Sequence, residues 1–356
     1  MPELVVIAEQ LLAPVPGGTG RYTAELLRAL AATVPSAWTL SSVVAARADI
    51  EAARVAGVRG PRRLPLPPRG LVAAWQYGLP LWPGGAAVHA PTPLAPPRAP
   101  RGATLSVTVH DTVPWTHPQT LTARGVRWHR SMIARAAARA DALVVPTQAV
   151  AHELAGYVTG PAAVHVVGHG VTEFGAPAPV DLPERYVLAV GTLEPRKGID
   201  VLIKAMAGLA EPLLLAGQPG WGGLDPLRLA REAGLREGQV RLLGRLTDAE
   251  LGTVLRGASV LAAPSRAEGF GLPVLEAMAT GVPVVHSDVP ALVEVAGGAG
   301  VTVPRGDSEA LGAALREVLW TPQRAAELAA AGRARASAFS WRRAAEAVWA
   351  VHTGSR

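Results

Sequence analysis

Short apolar runs alternate along the chain with longer amphipathic stretches, and the alternation comes in two rounds. The first round opens on the apolar run 4–8. The cluster Gly17-Gly18-Thr19-Gly20 follows, then a helical pattern that puts Tyr22, Leu26, Leu27 and Leu30 on one face. Strand-like runs recur at 104–110, 142–146 and 163–167, with a helix-like segment over 121–140. The Pro-rich stretch 175–183 reads as a linker. Beyond it the second round places strands at 186–190, 213–216, 240–243, 260–263 and 282–286. Its helices are expected over 198–209 and 311–319, with an alanine-rich one from about Pro322. Strands alternating with helices predict parallel sheets. Two such rounds predict two Rossmann-like lobes with a cleft between them and ligands at the carboxyl ends of the strands.

Composition agrees with a folded enzyme-sized chain: 356 residues, 49% hydrophobic and 17% charged, suit two domains and argue against disorder. The absence of cysteine excludes a disulfide scaffold, a thiolate zinc site, an iron–sulfur cluster and a cysteine nucleophile. The first residues carry acids where a leader peptide needs bases. The longest uncharged stretch, 70–97, holds six prolines and four glycines and makes a poor spanning helix. The expectation is a cytoplasmic protein, with peripheral contact at the inner face of a membrane as an addition. Residues 1–175 hold 15 arginines against nine acids, so the whole net charge of +6 lies in the first half. Such a half steers towards phosphate or acidic lipid. Around 57–82, Arg59, Arg62, Arg63 and Arg69 stand beside Leu66, Leu71, Val72, Trp75 and Trp82, a mixture that suits a lipid interface or an ordinary packed loop. No motif of a nucleic-acid reader is present.

Candidate chemistry gathers in four places. After the strand 260–263 comes PSRAEGFGLPVLEAMATG, where Pro273 fits a first helical turn and Gly281 a C-terminal cap. Gly269 and Gly271 then lie in the strand-to-helix loop, and the helix start suits phosphate. Glu268 is expected in that loop and Glu276 in the first helical turn, both able to accept sugar or ribose hydroxyls; a dipole-favoured acid and a plain loop charge are the alternatives. After the strand 186–190 comes GTLEPRKG, where Arg196 and Lys197 can clamp a diphosphate or simply occupy an exposed turn. Only two of the 34 basic residues are lysines. His110 ends the run TLSVTVHD, fit to bond a reacting sugar or to be satisfied by local backbone. The 17–20 glycines can cradle a phosphate but form no dinucleotide fingerprint. Thr247 and Glu250 have capping-box spacing. No Asp-x-Asp pair advertises a metal on donor phosphates.

Together these residues resemble the retaining glycosyltransferases of family four, including mannosyltransferase-like members. The match is carried by Glu268 and Glu276 within EGFGLPVLEAMATGVPVV, by GTLEPRKG, by the Gly-Gly-x-Gly-Arg-Tyr start, by VTVHD and by Phe339-Ser340-Trp341, in the family's order over about 17–341. The resemblance implies the GT-B fold, two Rossmann-like lobes facing each other across a cleft. Residues 1–175 would form the acceptor lobe and 176–340 the nucleotide-sugar lobe, with 341–356 a helix crossing back to the first. It implies Glu276 on the ribose, Glu268 with the loop Gly269, Phe270, Gly271 and Leu272 on the donor sugar, Arg196 and Lys197 on the diphosphate, Gly18 meeting the diphosphate from the other lobe, and His110 near the reacting carbon. The expected activity is metal-independent transfer of a sugar from a nucleotide sugar, GDP-mannose first, to a glycan or lipid-linked acceptor in polysaccharide assembly. UDP- or dTDP-sugars stay open as donors. So do a sugar-nucleotide epimerase, a phosphorylase and a non-catalytic binder, while a nicotinamide-dependent dehydrogenase lacks its ribose acid. Two departures stand out. His169 precedes Gly170 where the family commonly has Asn, and Thr192 follows Gly191 where some mannosyl-lipid members have Arg. Both His and Asn tolerate a left-handed backbone.

Overall fold

A computed structural model describes residues 1–220 and 222–354, and the chain divides into two compact units. The first takes in Met1–Gly170 and the segment from Ser340 on; the second is Val171–Phe339.

The first unit is a seven-stranded sheet of β1 (Glu3–Ile7), β2 (Thr39–Val44), β3 (Arg59–Arg63), β4 (Ala87–Ala90), β5 (Thr104–Thr108), β6 (Ala142–Val145) and β7 (Ala163–Val166). Every pairing is parallel, in the order β3-β2-β1-β4-β5-β6-β7. Parallel neighbours need crossovers, and the helices Gly17–Ala32 and Ala123–Arg139 are among those that provide them. Tyr22, Leu26, Leu27 and Leu30 are all buried, as their spacing predicts. Three strands escape the hydrophobic pattern. β2 buries two serines, β3 is an edge strand of sequence RGPRR, and β4 is only four residues long.

The second unit repeats the scheme with β8 (Val187–Val190), β9 (Leu213–Ala216), β10 (Val240–Gly244), β11 (Val260–Ala263), β12 (Val284–Ser287) and β13 (Val301–Val303). The order is β10-β9-β8-β11-β12-β13, again all parallel. The chain leaves β8 in one direction and returns to its other side at β11. The gap between the ends of these two strands is therefore the topological switch point, where open α/β sheets bind ligands.

Several expectations change. The 17–20 glycines form the first turn of the helix Gly17–Ala32 rather than a loop before it. The expected linker 175–183 is coil held against the second unit. Thr253 Oγ1 donates to Ala178 O at 2.8 Å, and Phe174 just before it is buried against Gly252. The helix expected over 198–209 is shorter, Ile199–Ala205. In the 57–82 region, Leu71 and Trp75 pack inward rather than facing out. The region forms β3 and the helix Pro68–Gln76, with Leu71 and Trp75 at 0% exposure in the first unit's core. The apolar side chains left outside there are Tyr77 and Leu79. Among the described residues no helix is long and apolar enough to cross a membrane.

The helix Trp341–Thr353 belongs to the first unit and packs on Gly17–Ala32, with Trp349 Nε1 donating to Leu30 O at 3.3 Å. Ser340 caps it, its hydroxyl accepting from Arg343 N, a contact worth about 1 kcal/mol.

Candidate active site

The loops after β8 and β11 are joined at the switch point. The first loop, from Gly191, carries the short turn Pro195–Lys197 and ends at Gly198, whose φ is 67°. A Cβ at Gly198 would lie 2.1 Å from Pro264 O, so only glycine lets the two loops approach this closely. Arg266 in the second loop donates its backbone N–H to Arg196 O at 2.7 Å and forks onto Asp200 at 2.9 and 2.7 Å.

This stitching brings Arg196, Lys197 and Glu268 together. Lys197 Nζ donates to Glu268 Oε1 at 2.5 Å, and Ser265 Oγ donates to the same oxygen at 2.7 Å. Arg196 Nη1 reaches Ala267 O at 2.8 Å and Glu268 Oε2 at 3.4 Å, while its Nη2 pairs with Glu194 at 2.5 Å. The side chains of Arg196, Lys197 and Glu268 are each less than a fifth exposed. Burial alone pushes the Glu268 carboxyl up. The Lys197 and Arg196 charges and the hydrogen bonds from Lys197 and Ser265 outweigh it and bring it down to about 2. Glu268 is a fixed carboxylate, not a proton shuttle. The two cations are matched by the two carboxylates of Glu194 and Glu268, so the cluster carries no net charge of its own.

The helix Leu272–Thr280 starts where this cluster ends. Gly271 caps it with φ 93°, Leu272 is its first residue and Pro273 its second. The positive end of its dipole faces the same loops, which together line a pocket that includes Gly191, Lys197, Ser265, Glu268 and Gly271. Phe270 is buried edge-on to Phe339, with ring centroids 5.8 Å apart, so Gly269 and Phe270 form a packed turn. Glu276 is the fifth helical residue, one turn later than the first-turn place expected for it, and is 2% exposed. A dipole-favoured surface acid would be exposed, so that alternative is excluded by burial.

In the first unit, Gly18 is the second residue of the helix Gly17–Ala32, and a Cβ there would meet nothing within 4 Å. His110 lies just past β5. Its Nε2 is 2.8 Å from Pro91 O, and a carbonyl only accepts, so Nε2 carries the proton and Nδ1 the lone pair. Burial lowers its pKa against the opposing pull of Pro91 O and Asp111. Its ring meets Tyr22 edge-on at 4.7 Å. His169 takes no left-handed backbone, since among the described residues every positive φ belongs to glycine. Its ring stacks on Trp341 at 5.6 Å, and Gly170 packs against the backbone of Trp341.

Reading the sequence missed Ser265, Glu194 and the Arg266–Asp200 fork. Ser265, Glu194 and Arg266 lie inside PSRAEGFGLPVLEAMATG and GTLEPRKG and were legible as polar neighbours of Lys197 and Glu268. Asp200 carried no signal beyond its place two residues after a glycine.

Two family models tile the chain: Glycosyltransferase Family 4 matches residues 16–173 and Glycosyl transferases group 1 matches 184–320. The chain belongs to glycosyltransferase family 4. It is 41% identical over 162 residues to O-antigen chain mannosyltransferase B of Escherichia coli, covering 44% of this chain and 42% of that one. It is 36% identical over 241 residues to D-inositol 3-phosphate glycosyltransferase of Saccharomonospora viridis, covering 60% and 56%. The chain spans about half the length of the curated relatives it matches. In fold, this family member is similar to Anabaena HepE, solved in complex with UDP-glucose, at a TM-score of 0.74 and 18% identity over 98% of this chain and 100% of that one. The two Rossmann-like units are those of the GT-B fold.

Proposed function

We propose that the protein is a retaining, metal-independent glycosyltransferase that takes a hexose from a nucleotide sugar, GDP-mannose first, and gives it to a glycan or lipid-linked acceptor. The observation that carries this reading is the joining of Arg196, Lys197 and Glu268 beside a helix N-terminus at the switch point of the second sheet. The bond from the sugar's anomeric carbon to the diphosphate breaks, and negative charge grows on the leaving nucleoside diphosphate. The helix N-terminus and the N–H groups of Arg196 and Lys197, whose charges Glu194 and Glu268 balance, are fixed donors for that charge. The acceptor hydroxyl bonds the same face of the carbon and its proton passes to the departing phosphate oxygen. Glu268, ionised and held by three donors, orients sugar hydroxyls and offsets positive charge at the carbon, as a base or nucleophile would not need to be so firmly paired. Glu276 takes the ribose, the turn Gly269 to Leu272 takes the sugar through its backbone, and Gly18 and His110 serve from the first unit, where the acceptor binds.

The mannose assignment is supported by the O-antigen mannosyltransferase relative. A UDP-sugar is the second reading, supported by the UDP-glucose complex of the fold relative. A thermal-shift screen against GDP-, UDP-, ADP- and dTDP-sugars without metal separates them. Stabilisation by GDP-mannose alone is expected, and stabilisation by another class reassigns the donor. Phosphate-dependent turnover would point instead to a phosphorylase. Membrane contact through the basic first half is a further part of the proposal, tested by salt-sensitive binding to anionic vesicles.

A further inference from the structure

A row of polar side chains runs through the apolar core of the first unit. His352, on the terminal helix, has Nδ1 2.8 Å from Thr104 Oγ1 and Nε2 2.8 Å from Ser106 Oγ. Ser106 Oγ is also 2.8 Å from His89 Nδ1. His89 Nε2 lies 3.3 Å from Thr108 Oγ1, which is 3.2 Å from the Tyr22 phenol. The chain thus joins the terminal helix, β5, β4 and the helix Gly17–Ala32. Its members are buried except Thr104, which is partly exposed.

Burial brings His89 down to about 3, helped by nearby His352 and His110, and brings His352 down to about 4. Both rings are therefore neutral near pH 7, each with one N–H and one lone pair. The chain has six protons for five links, and each hydroxyl can accept two bonds, so every arrangement leaves one proton over, on buried Tyr22, Thr108 or Ser106 or on partly exposed Thr104. If donation ran from His352 towards Tyr22, the phenol proton would need an acceptor outside the chain, and among the described residues the phenol makes no other hydrogen bond. In the opposite direction Tyr22 donates to Thr108, Thr108 to His89 Nε2, His89 Nδ1 to Ser106, Ser106 to His352 Nε2 and His352 Nδ1 to Thr104. The proton left over is then on Thr104, at the end nearest water. A buried donor without a partner is costly, so the arrangement that leaves the proton on Thr104 is favoured.

The Tyr22 end of the chain lies under His110. The tyrosine ring stands at 85° to the His110 ring and also touches His169 at 4.6 Å. With Nε2 of His110 on Pro91 O, the tilt of the imidazole about that bond is limited by the rings against it, Tyr22 at 4.7 Å and His169 at 5.9 Å, of which Tyr22 is the nearer. We propose that Tyr22 is a positioning residue for His110, its ring held in register by a one-way hydrogen-bond chain that ends on His352 of the terminal helix. The catalytic consequence rests on the reading of His110 as the group that meets the donor sugar; the direction of the chain does not.

The test uses the full chain, labelled with nitrogen-15, and reads histidine tautomers by long-range proton–nitrogen NMR at pH 7. His89 and His352 are expected as Nδ1–H tautomers and His110 as Nε2–H. Tyr22→Phe keeps the ring and removes only the hydroxyl. It should shift the His110 ring signals and lower kcat about tenfold with the donor KM within about twofold. Thr108→Val cuts the chain one link on and should give the same pattern, which covers the case of a tyrosine variant that does not fold. His89 found as Nε2–H overturns the chain direction. Wild-type kcat and unmoved His110 signals in both variants overturn the positioning role. A wild-type chain that transfers no sugar overturns the transferase reading alone, and the ring signals then decide the positioning claim.

Discussion

In the second unit, ionised side chains gather at the rim of the sheet, where Arg196, Lys197, Glu194 and Glu268 pair at 2.5–3.4 Å. In the first, titratable groups lie beneath the rim in the core, and His89, His352 and Tyr22 are held neutral by burial and joined through hydroxyls. Both sheets are parallel and doubly wound, so architecture does not account for the difference. Charge at a rim can meet a charged ligand while keeping part of its hydration. Polar groups in a core can only be satisfied by one another, and what they gain is a fixed geometry. One unit gathers paired charges at its rim, and the other holds neutral side chains still.

The largest way to break this contrast is Glu276→Ala. The glutamate is buried in the helix beside the cluster. Its loss should lower transfer by at least about 100-fold with the near-ultraviolet circular dichroism unchanged; full activity would remove the ribose role. Next comes Lys197→Ala, which leaves Glu268 with one cation fewer in a mostly buried place. It should cost about 3 kcal/mol in chemical denaturation, alongside weaker donor binding.

Acid should sharpen the contrast. His89 and His352 stay neutral in the fold down to about 3 and 4, against an unfolded value of 6.5. The unfolded chain thus binds more protons below 6.5, and stability is lost as the pH falls from there, by about 2 kcal/mol for each histidine at pH 5. Glu268 is depressed to about 2 from 4.5, so its contribution is whole above 4.5 and is lost only as the pH falls towards 2. Hydrogen exchange at pH 7 and pH 5 should therefore show β4 and β5 losing protection while β8 and β11 keep theirs. Equal loss in both sheets would contradict the assignment. The smallest expected effect is that of chelation: excess EDTA should leave the transfer rate unchanged, as the proposed donors to the diphosphate are Arg196, Lys197 and the helix N-terminus.

How much of this was legible follows the same division. The rim cluster was readable because contiguous loops carry it: GTLEPRKG and PSRAEGFG each bring their own strand end, glycine and charge. Glu276 was placed a turn early because spacing from Pro273 does not show which residue caps the helix. Gly271 does so, by taking a left-handed φ. The core chain was not readable. Ser106 and His352 are 246 positions apart, and each looks like an ordinary residue of its element. Whether Leu71 and Trp75 face lipid or pack inward stayed open beside their arginines, because a helix over Pro68–Gln76 turns one face inward and leaves Arg69 out, a sorting that composition cannot show.

Titration calorimetry of the nucleoside diphosphates against the full chain, without metal, tests the central claim most directly. One of them should bind wild type, and Lys197→Ala should weaken that binding by at least about tenfold. Absence of binding by every nucleotide, or equal affinity in the variant, would contradict the placing of the diphosphate between the β8 and β11 loops.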